Sequence, residues 1–468
     1  MTGGGEEGAR QLDQTPTWAV ALVCSVIVII SIGLEEVLHL IGEWFEERKK
    51  KAMLEALEKI KAELMILGFI SLLLTFGQKY ISRICIPYIA ADTMLPCNIK
   101  QSPHQRGTHH VFPFKNEPQH NPRRLLLYDH RLLSSGSPPN GCKAGHVPMI
   151  SIEALHQLHI FIFFLAIFHV IYSAITMTLG RMKIRLWKEW EHETQKENEA
   201  NDPKNFRLTH ETSFVKGHTN FMTQTPFLFY VACFCRQFFR SVTKADYLSL
   251  REGFISVHLA PGSKFNFQKY IKRSLEDDFK VVVGISPLLW TSAVLFFLFN
   301  VDGWQGMFWL SMMPLIVTLS LGTKLQAIIA KMAIEIQEKH AVVQGIPLVQ
   351  VSDRHFWFDR PKLILNLIHL TLFQSAFEIT YFLWIWYEFG LRSCFHKNLP
   401  LVLARVFLGV GVQILCSYIT LPLYALVTQM GSTMKISIFD EQTSKALMNW
   451  HKNAMKKKNS RKSDSTKQ

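Results

Sequence analysis

The chain has 468 residues, 48% of them hydrophobic, with 34 Phe, 37 acidic and 51 basic side chains and a formal net charge of +14. Mean hydropathy is +0.11. That balance excludes an intrinsically disordered chain and a wholly water-exposed basic protein, and the sequence carries no Walker loop, zinc finger, RNA-recognition signature or Asn-x-Ser/Thr acceptor. The positive charge has another cause, because Lys and Arg gather on the cytoplasmic flanks of membrane helices.

In chain order, seven apolar stretches predict membrane spans at about 17–38, 64–82, 157–179, 281–299, 304–323, 363–387 and 400–427. A bilayer core about 30 Å thick needs about 20 apolar residues per helix, and backbone polar groups inside it must be bonded within the segment. The predicted fold class is therefore an all-α integral membrane protein, a seven-transmembrane helical bundle. The first stretch is read as a span and not a cleaved signal, because its amino flank holds Glu6 and Glu7 and its far flank Arg48, Lys49, Lys50 and Lys51. This asymmetry predicts an extracellular N-terminus (1–16). The loop census agrees: Lys plus Arg number 6 in 43–61, 17 in 180–280, 6 in 324–362 and 9 in 428–468, against 8 in 83–155, none in 300–303 and 2 in 388–399. The long 83–155 loop is then extracellular, the 180–280 loop cytoplasmic, and the 428–468 tail cytoplasmic.

Within these loops, Arg181 to Glu199 reads as a charged continuation of the third span. Pro226 to Cys235 is too short to cross and predicts a helix buried in the loop or lying on the membrane. Ala327 to His340 has helical periodicity. Cys85, Cys97, Cys142 and Cys394 all fall outside, which predicts two disulfides, one of them stapling the 388–399 turn to the 83–155 loop; the pairing itself stays open. Cys233 and Cys235 are expected to be packed core thiols, and Asp302 and Trp304 to sit in a tight turn between the fourth and fifth spans.

Ionisable residues in spans face a bundle interior or a water-filled path. Glu378 in the sixth span and Arg405 in the seventh are near enough in depth to pair. Glu35, Glu36 and His39 close the first span as an interfacial turn. Glu153, His156 and His159 start the third span at i, i+3 and i+6, a spacing that turns the last away from the first; no catalytic metal site is expected there, and the outer-loop histidines (His104, His109, His110, His120, His130, His146) read as solvated loop residues, with weak, adventitious metal binding as the alternative. No catalytic set emerges, and the chain is not expected to be an enzyme or to hold a cofactor.

The tail segment 434–458 is basic and amphipathic. Leu447, Trp450 and Ala454 share one helix face, Ile436, Ile438 and Phe439 add apolar anchors, and Lys435, Lys445, Lys452 and Lys456 to Lys458 supply charge. Such a helix suits a calmodulin groove, an anionic membrane surface, or plain juxtamembrane packing.

Several long segments, in order, resemble the plant MLO (mildew resistance locus O) family: TPTWAVA, EALEKIKAELMILGFISLLL, GCKAGHVPMISIEALHQLHIFIF, DFKVVVGISPLLWTSAVLFFLFNVDGW, LRSCFH and MGSTMKISIFDEQTSKALMNWHK. The resemblance covers about residues 15–455. It implies a plasma-membrane protein of seven spans with an outside N-terminus and a calmodulin-binding tail. It further implies modulation of pathogen defence and cell death, or of polarised growth, and a link to calcium-permeable channel activity. Expected partners are calmodulin, which would bring Ca2+, and membrane lipids, not nucleic acid; homo-oligomerisation stays open. The competing expectations are a seven-span receptor coupled to a cytoplasmic transducer, and a membrane metallohydrolase.

Overall fold

The structure, a computed structural model, describes residues 10–47, 69–97, 142, 146–200, 213–219, 225–239, 241–258, 265–284, 286–301, 306–342, 353–391, 393–396 and 398–431. The calmodulin-type segment, Asp302 and Trp304, and His104, His109, His110, His120 and His130 lie outside the described residues.

Helices account for nearly all regular structure. They are α1 (Thr17–Glu47), α2 (Phe69–Ile81), α3 (Tyr88–Ala91), α4 (Ile152–Ala200), α5 (Pro226–Phe239), α6 (Lys244–His258), α7 (Phe267–Val283), α8 (Pro287–Phe299), α9 (Gly306–Val342), α10 (Pro361–Phe389), α11 (Leu399–Leu415) and α12 (Leu421–Val427), the last two joined by a π-helical turn, Cys416–Thr420. Strands β1 (Cys85–Pro87) and β2 (His146–Pro148) pair antiparallel, Cys85 opposite Pro148. The chain is an all-α membrane protein apart from this ribbon.

Five described stretches are long and apolar enough to cross a membrane: Thr17–Trp44, Ile152–Thr194, Phe308–Gln337, Pro361–Phe389 and Leu399–Met430. Of the second expected span the described part is α2, and the fourth is represented by α8, with 13 residues. At 1.5 Å per residue α8 covers about 20 Å, short of a hydrocarbon core of about 30 Å. Seven crossings require α8 to cross.

The expected span 281–299 is not one helix. Residues to Val283 finish amphipathic α7, and α8 begins at Pro287 behind Ser286 in an extended conformation. Proline lacks the N–H for an upstream helical bond and disfavours helical geometry in the residue before it. Elsewhere separate expectations merge. Span five and the 327–340 helix are the single α9, which carries Pro314 inside it, and Arg181 to Glu199 continues α4 without a break.

The chain divides into two compact units. The first comprises residues to His169, Ser286–Ser311 and Phe377–Val406. Here α1 packs on α8 and on α2. Phe161 is fully buried and meets Phe297, Phe377, Tyr381 and Trp384 edge-on, with centroids 5.1–6.1 Å apart. That is the favoured geometry for ring quadrupoles. Two disulfides, Cys85–Cys142 and Cys97–Cys394, close the same unit, and the second ties the 394 turn to the 83–97 segment as expected. The N-terminal segment docks beside them: Arg10 donates to Asp92 at 2.9 Å and to the Ala91 carbonyl at 3.2 Å, and Trp18 Nε1 donates to Thr93.

The second unit comprises Val170–Ile285, Met312–Ala376 and the chain from Phe407. Its core joins Trp187 of α4, Tyr247 and Phe254 of α6, Phe267 and Tyr270 of α7, Leu325 and Met332 of α9, Ile364 of α10 and Tyr424 of α12. Helix α5 lies against α9 through Phe229 and Cys233 on Ala327 and Ala330. Gly322 permits this approach, since a Cβ there would stand 2.0 Å from Gln237 Oε1. Cys235 corrects the expectation of two core thiols: it is exposed while Cys233 is buried, because residues two apart on a helix point to nearly opposite sides.

Candidate functional site

Two groups of polar side chains occupy the apolar helices, one in each unit. In the first unit they surround Glu378, which is 7% exposed on α10. Glu378 and Arg405, near enough in depth to pair, are coupled, and the buried Ser311 hydroxyl links them: Arg405 Nε donates to Ser311 Oγ at 2.9 Å, and Ser311 is hydrogen-bonded to the Glu378 carboxylate. A hydroxyl can accept from a guanidinium and donate to a carboxylate at once, which a second charge cannot do. Glu378 Oε1 has no hydrogen-bond partner among the described residues. One turn on, Tyr381 Oη accepts from the Asn300 amide. Gln157 of α4 links the Leu12 N–H, which it accepts at 3.0 Å, to Glu388, to which it donates at 3.3 Å.

Glu35 and Glu36 are exposed on α1, and His39 Nδ1 lies 3.4 Å from Glu43. Helix α1 runs on past them to Glu47, so they belong to a continuing helix and not to a turn. A helix of 31 residues reaches about 46 Å, which places its last turns beyond a hydrocarbon core of about 30 Å.

The second unit holds an uncharged seam. Gln413 donates to Thr176 Oγ1 at 2.9 Å and accepts from Ser375 Oγ at 2.9 Å, and Ser417, in the π turn, donates to Thr176 at 3.2 Å. Thr371 Oγ1 meets Cys416 Sγ at 3.8 Å. All are buried. Gln374, on the same turn of α10 as Thr371 and Ser375, is fully buried with neither amide end bonded to a described residue. An unbonded buried amide costs about 1–3 kcal/mol. π turns recur at functional sites because the extra residue frees a carbonyl from the helical ladder.

Ser311, Thr176, Ser375, Gln413, Ser417 and Gln374 do not stand out in the sequence as the charges do. The usable signal is polar residues repeating at i, i+4 within apolar spans, as Thr371 with Ser375 and Gln413 with Ser417.

Outside the spans, two buried networks brace the second unit. Glu191 accepts from Tyr247 Oη at 2.8 Å and from Arg251 Nε at 3.0 Å. His218 Nδ1 is bonded to the Phe214 carbonyl, and Nε2 lies 3.7 Å from Asp246, which also faces Arg236 at 3.5 Å. Burial holds the His218 imidazole below its ordinary value, with Asp246 opposing and Arg236 assisting. Burial and the Glu191 carboxylate hold the Tyr247 phenol in its neutral, donating form. No group of three or more His, Cys, Asp or Glu fit to hold a metal ion occurs among the described residues; Glu153, His156 and His159 form none.

The chain matches the Mlo family over residues 9–468. It is 63% identical to MLO-like protein 5 of Arabidopsis thaliana over 98% of this chain and 90% of that protein. It is 63% identical to MLO-like protein 9 of the same plant over 96% and 97%. It is 51% identical to MLO protein homolog 1 of Oryza sativa subsp. japonica over 98% and 83%. No solved structure matches the chain.

Proposed function

The chain belongs to the Mlo family, and from that premise we propose that it is a plant plasma-membrane protein whose polar membrane interior conducts cations, calcium among them, under the control of calmodulin bound to the tail. Its process would be pathogen defence and cell death or polarised growth, with the N-terminus outside and the C-terminus in the cytoplasm. It would act without a chemical step or a cofactor of its own.

The observation that carries the conducting role is the buried seam of Thr176, Ser375, Gln413 and Ser417 with the unbonded Gln374 beside it. Oxygen-bearing side chains inside lipid replace part of a cation's hydration shell. For calmodulin, the support is that the segment 434–458 follows closely on Met430, where the last spanning helix ends. Bound calmodulin would then press on the helices that carry the seam.

Whole-cell recording of the full chain in a heterologous cell tests both parts. Calcium current is expected, altered by Trp450→Arg in the tail and reduced by Gln374→Leu. Current indistinguishable from untransfected cells would overturn the channel reading. Current indifferent to Trp450→Arg, with no calcium-dependent binding of a 430–460 peptide to calmodulin, would overturn its regulation.

A further inference from the structure

A cleft of about 300 Å3 opens in the second unit between α4, the end of α5, the link to α6 and the π turn. Lys183, Phe238, Phe239, Ser241, Thr243 and Tyr418 line it, and among the described residues no carboxylate does, the Asp246 carboxylate being engaged by the Thr243 backbone N–H at 2.9 Å. The volume lies at the lower end of the range that holds a small ligand.

The chemistry of the lining is that of an anion site with an apolar flank. The Lys183 ammonium lies 5.2 Å from the centre of the Tyr418 ring, whose face steadies it while leaving its N–H groups available. Lys183 makes no ion pair among the described residues, whereas its neighbour Arg181 is held by Glu276 at 2.9 Å. Thr243 Oγ1 accepts from the Asp246 N–H at 3.2 Å, so its own O–H remains to donate.

The place is that of a membrane interface. Helix α4 carries no charged residue from Ala154 to Gly180, and Arg181, Lys183 and Arg185 follow at once. A lysine just beyond an apolar span lays its stem along the hydrocarbon and its ammonium among headgroups. Helix α5 agrees: Phe229 and Cys233 face α9, while Phe227 (76% exposed), Phe234 (40%) and Phe239 (87%) face away from the protein. So much aromatic surface on a 14-residue helix needs a lipid neighbour.

We propose that this cleft binds the headgroup of an anionic glycerophospholipid, with the phosphate on Lys183 and Thr243 and the first acyl carbons against Phe238, Phe239 and Ile419. Basic pockets between membrane helices select acidic headgroups because a zwitterionic lipid brings its own cation to the lysine. The site shares the π turn with the buried seam but none of the seam's residues, and it holds whether or not that seam conducts.

Native mass spectrometry of the full-length protein in detergent, titrated with dioleoyl phosphatidylserine or dioleoyl phosphatidylcholine, tests it. Phosphatidylserine should be retained over phosphatidylcholine. Lys183→Met should lower its retention about fivefold, the contribution of one basic side chain at an anionic surface, and Lys183→Arg should restore it. Phe239→Ser, at a side chain too exposed to matter for folding, should weaken both lipids. Equal phosphatidylserine retention by wild type and Lys183→Met, or no effect of Phe239→Ser, overturns the site. Displacement by glycerophosphoserine or inorganic phosphate as effective as by the whole lipid would instead mark a soluble-anion site and also overturn the proposal.

Discussion

Ser311→Ala tests whether the hydroxyl between Glu378 and Arg405 holds two charges in the membrane. The substitution deletes one acceptor for Arg405 and one donor for Glu378. A hydrogen bond to a charged group contributes about 1.5–3 kcal/mol, so the two bonds set an upper bound of about 3–6 kcal/mol. Arg405 is only partly buried and can turn to water, whereas Glu378 is 7% exposed with one oxygen already unbonded. The loss therefore falls mainly on the carboxylate, and about 2–3 kcal/mol is expected. SDS-driven unfolding in mixed micelles, read by tryptophan fluorescence, gives the free energy. In a Glu378→Leu/Arg405→Leu background the same Ser311→Ala change should cost less than about 1 kcal/mol, because neither charge remains to be satisfied. Arg405→Leu alone should be worse than the double variant, since it leaves the buried carboxylate uncompensated. A Ser311→Ala cost that is the same in both backgrounds would refute the serine-bridged arrangement.

Removing the Cys97–Cys394 bridge by Cys394→Ser frees a loop spanning 297 residues and should destabilise the first unit by about 2–4 kcal/mol, less than a soluble chain would lose because the unfolded helices stay inserted. Surface abundance should fall while non-reducing peptide mapping still finds Cys85 joined to Cys142; a scrambled Cys85 or Cys142 would show that the two bridges depend on each other. His218 is held below 6.5 by burial in the folded chain, so the unfolded chain takes up the proton first. Its contribution to stability is complete above about pH 7 and is lost as pH falls below 6.5 towards the folded value. Melting of wild type should thus drop over that range and melting of His218→Asn should not; parallel curves would sink the assignment. In the tail peptide, Lys445→Ala and Lys452→Ala should slow calmodulin association in a salt-dependent way, whereas Leu447→Arg or Trp450→Arg should raise dissociation and cost at least about 2 kcal/mol. Stopped-flow mixing separates the two, and equal effects on both rates would place Leu447 and Trp450 off the interface.

Features that depend on composition and on residues near one another along the chain can be read without coordinates. Long apolar runs must be helices in lipid whatever their neighbours, so the all-α membrane class was legible, as was the run of α4 beyond its apolar stretch. Four cysteines on the loops read as extracellular announced two disulfides, and the location of Cys394 required one to join distant loops. The long motifs from TPTWAVA to the tail announced the family. Helix ends were less legible where one residue outweighs an apolar run, as Pro287 does in splitting the expected span 281–299. Which cysteines pair follows from the packed fold, since it depends on where β1 and β2 bring Cys85 and Cys142. The packed fold also decides that Glu378 reaches Arg405 through Ser311, which comes from a third helix and carries no charge to attract notice in the sequence. The seam of Thr176, Ser375, Gln413 and Ser417 was hidden for the same physical reason. A hydroxyl or amide costs little to read past in an apolar run, and becomes informative only when packing removes its water and shows which partners it has found.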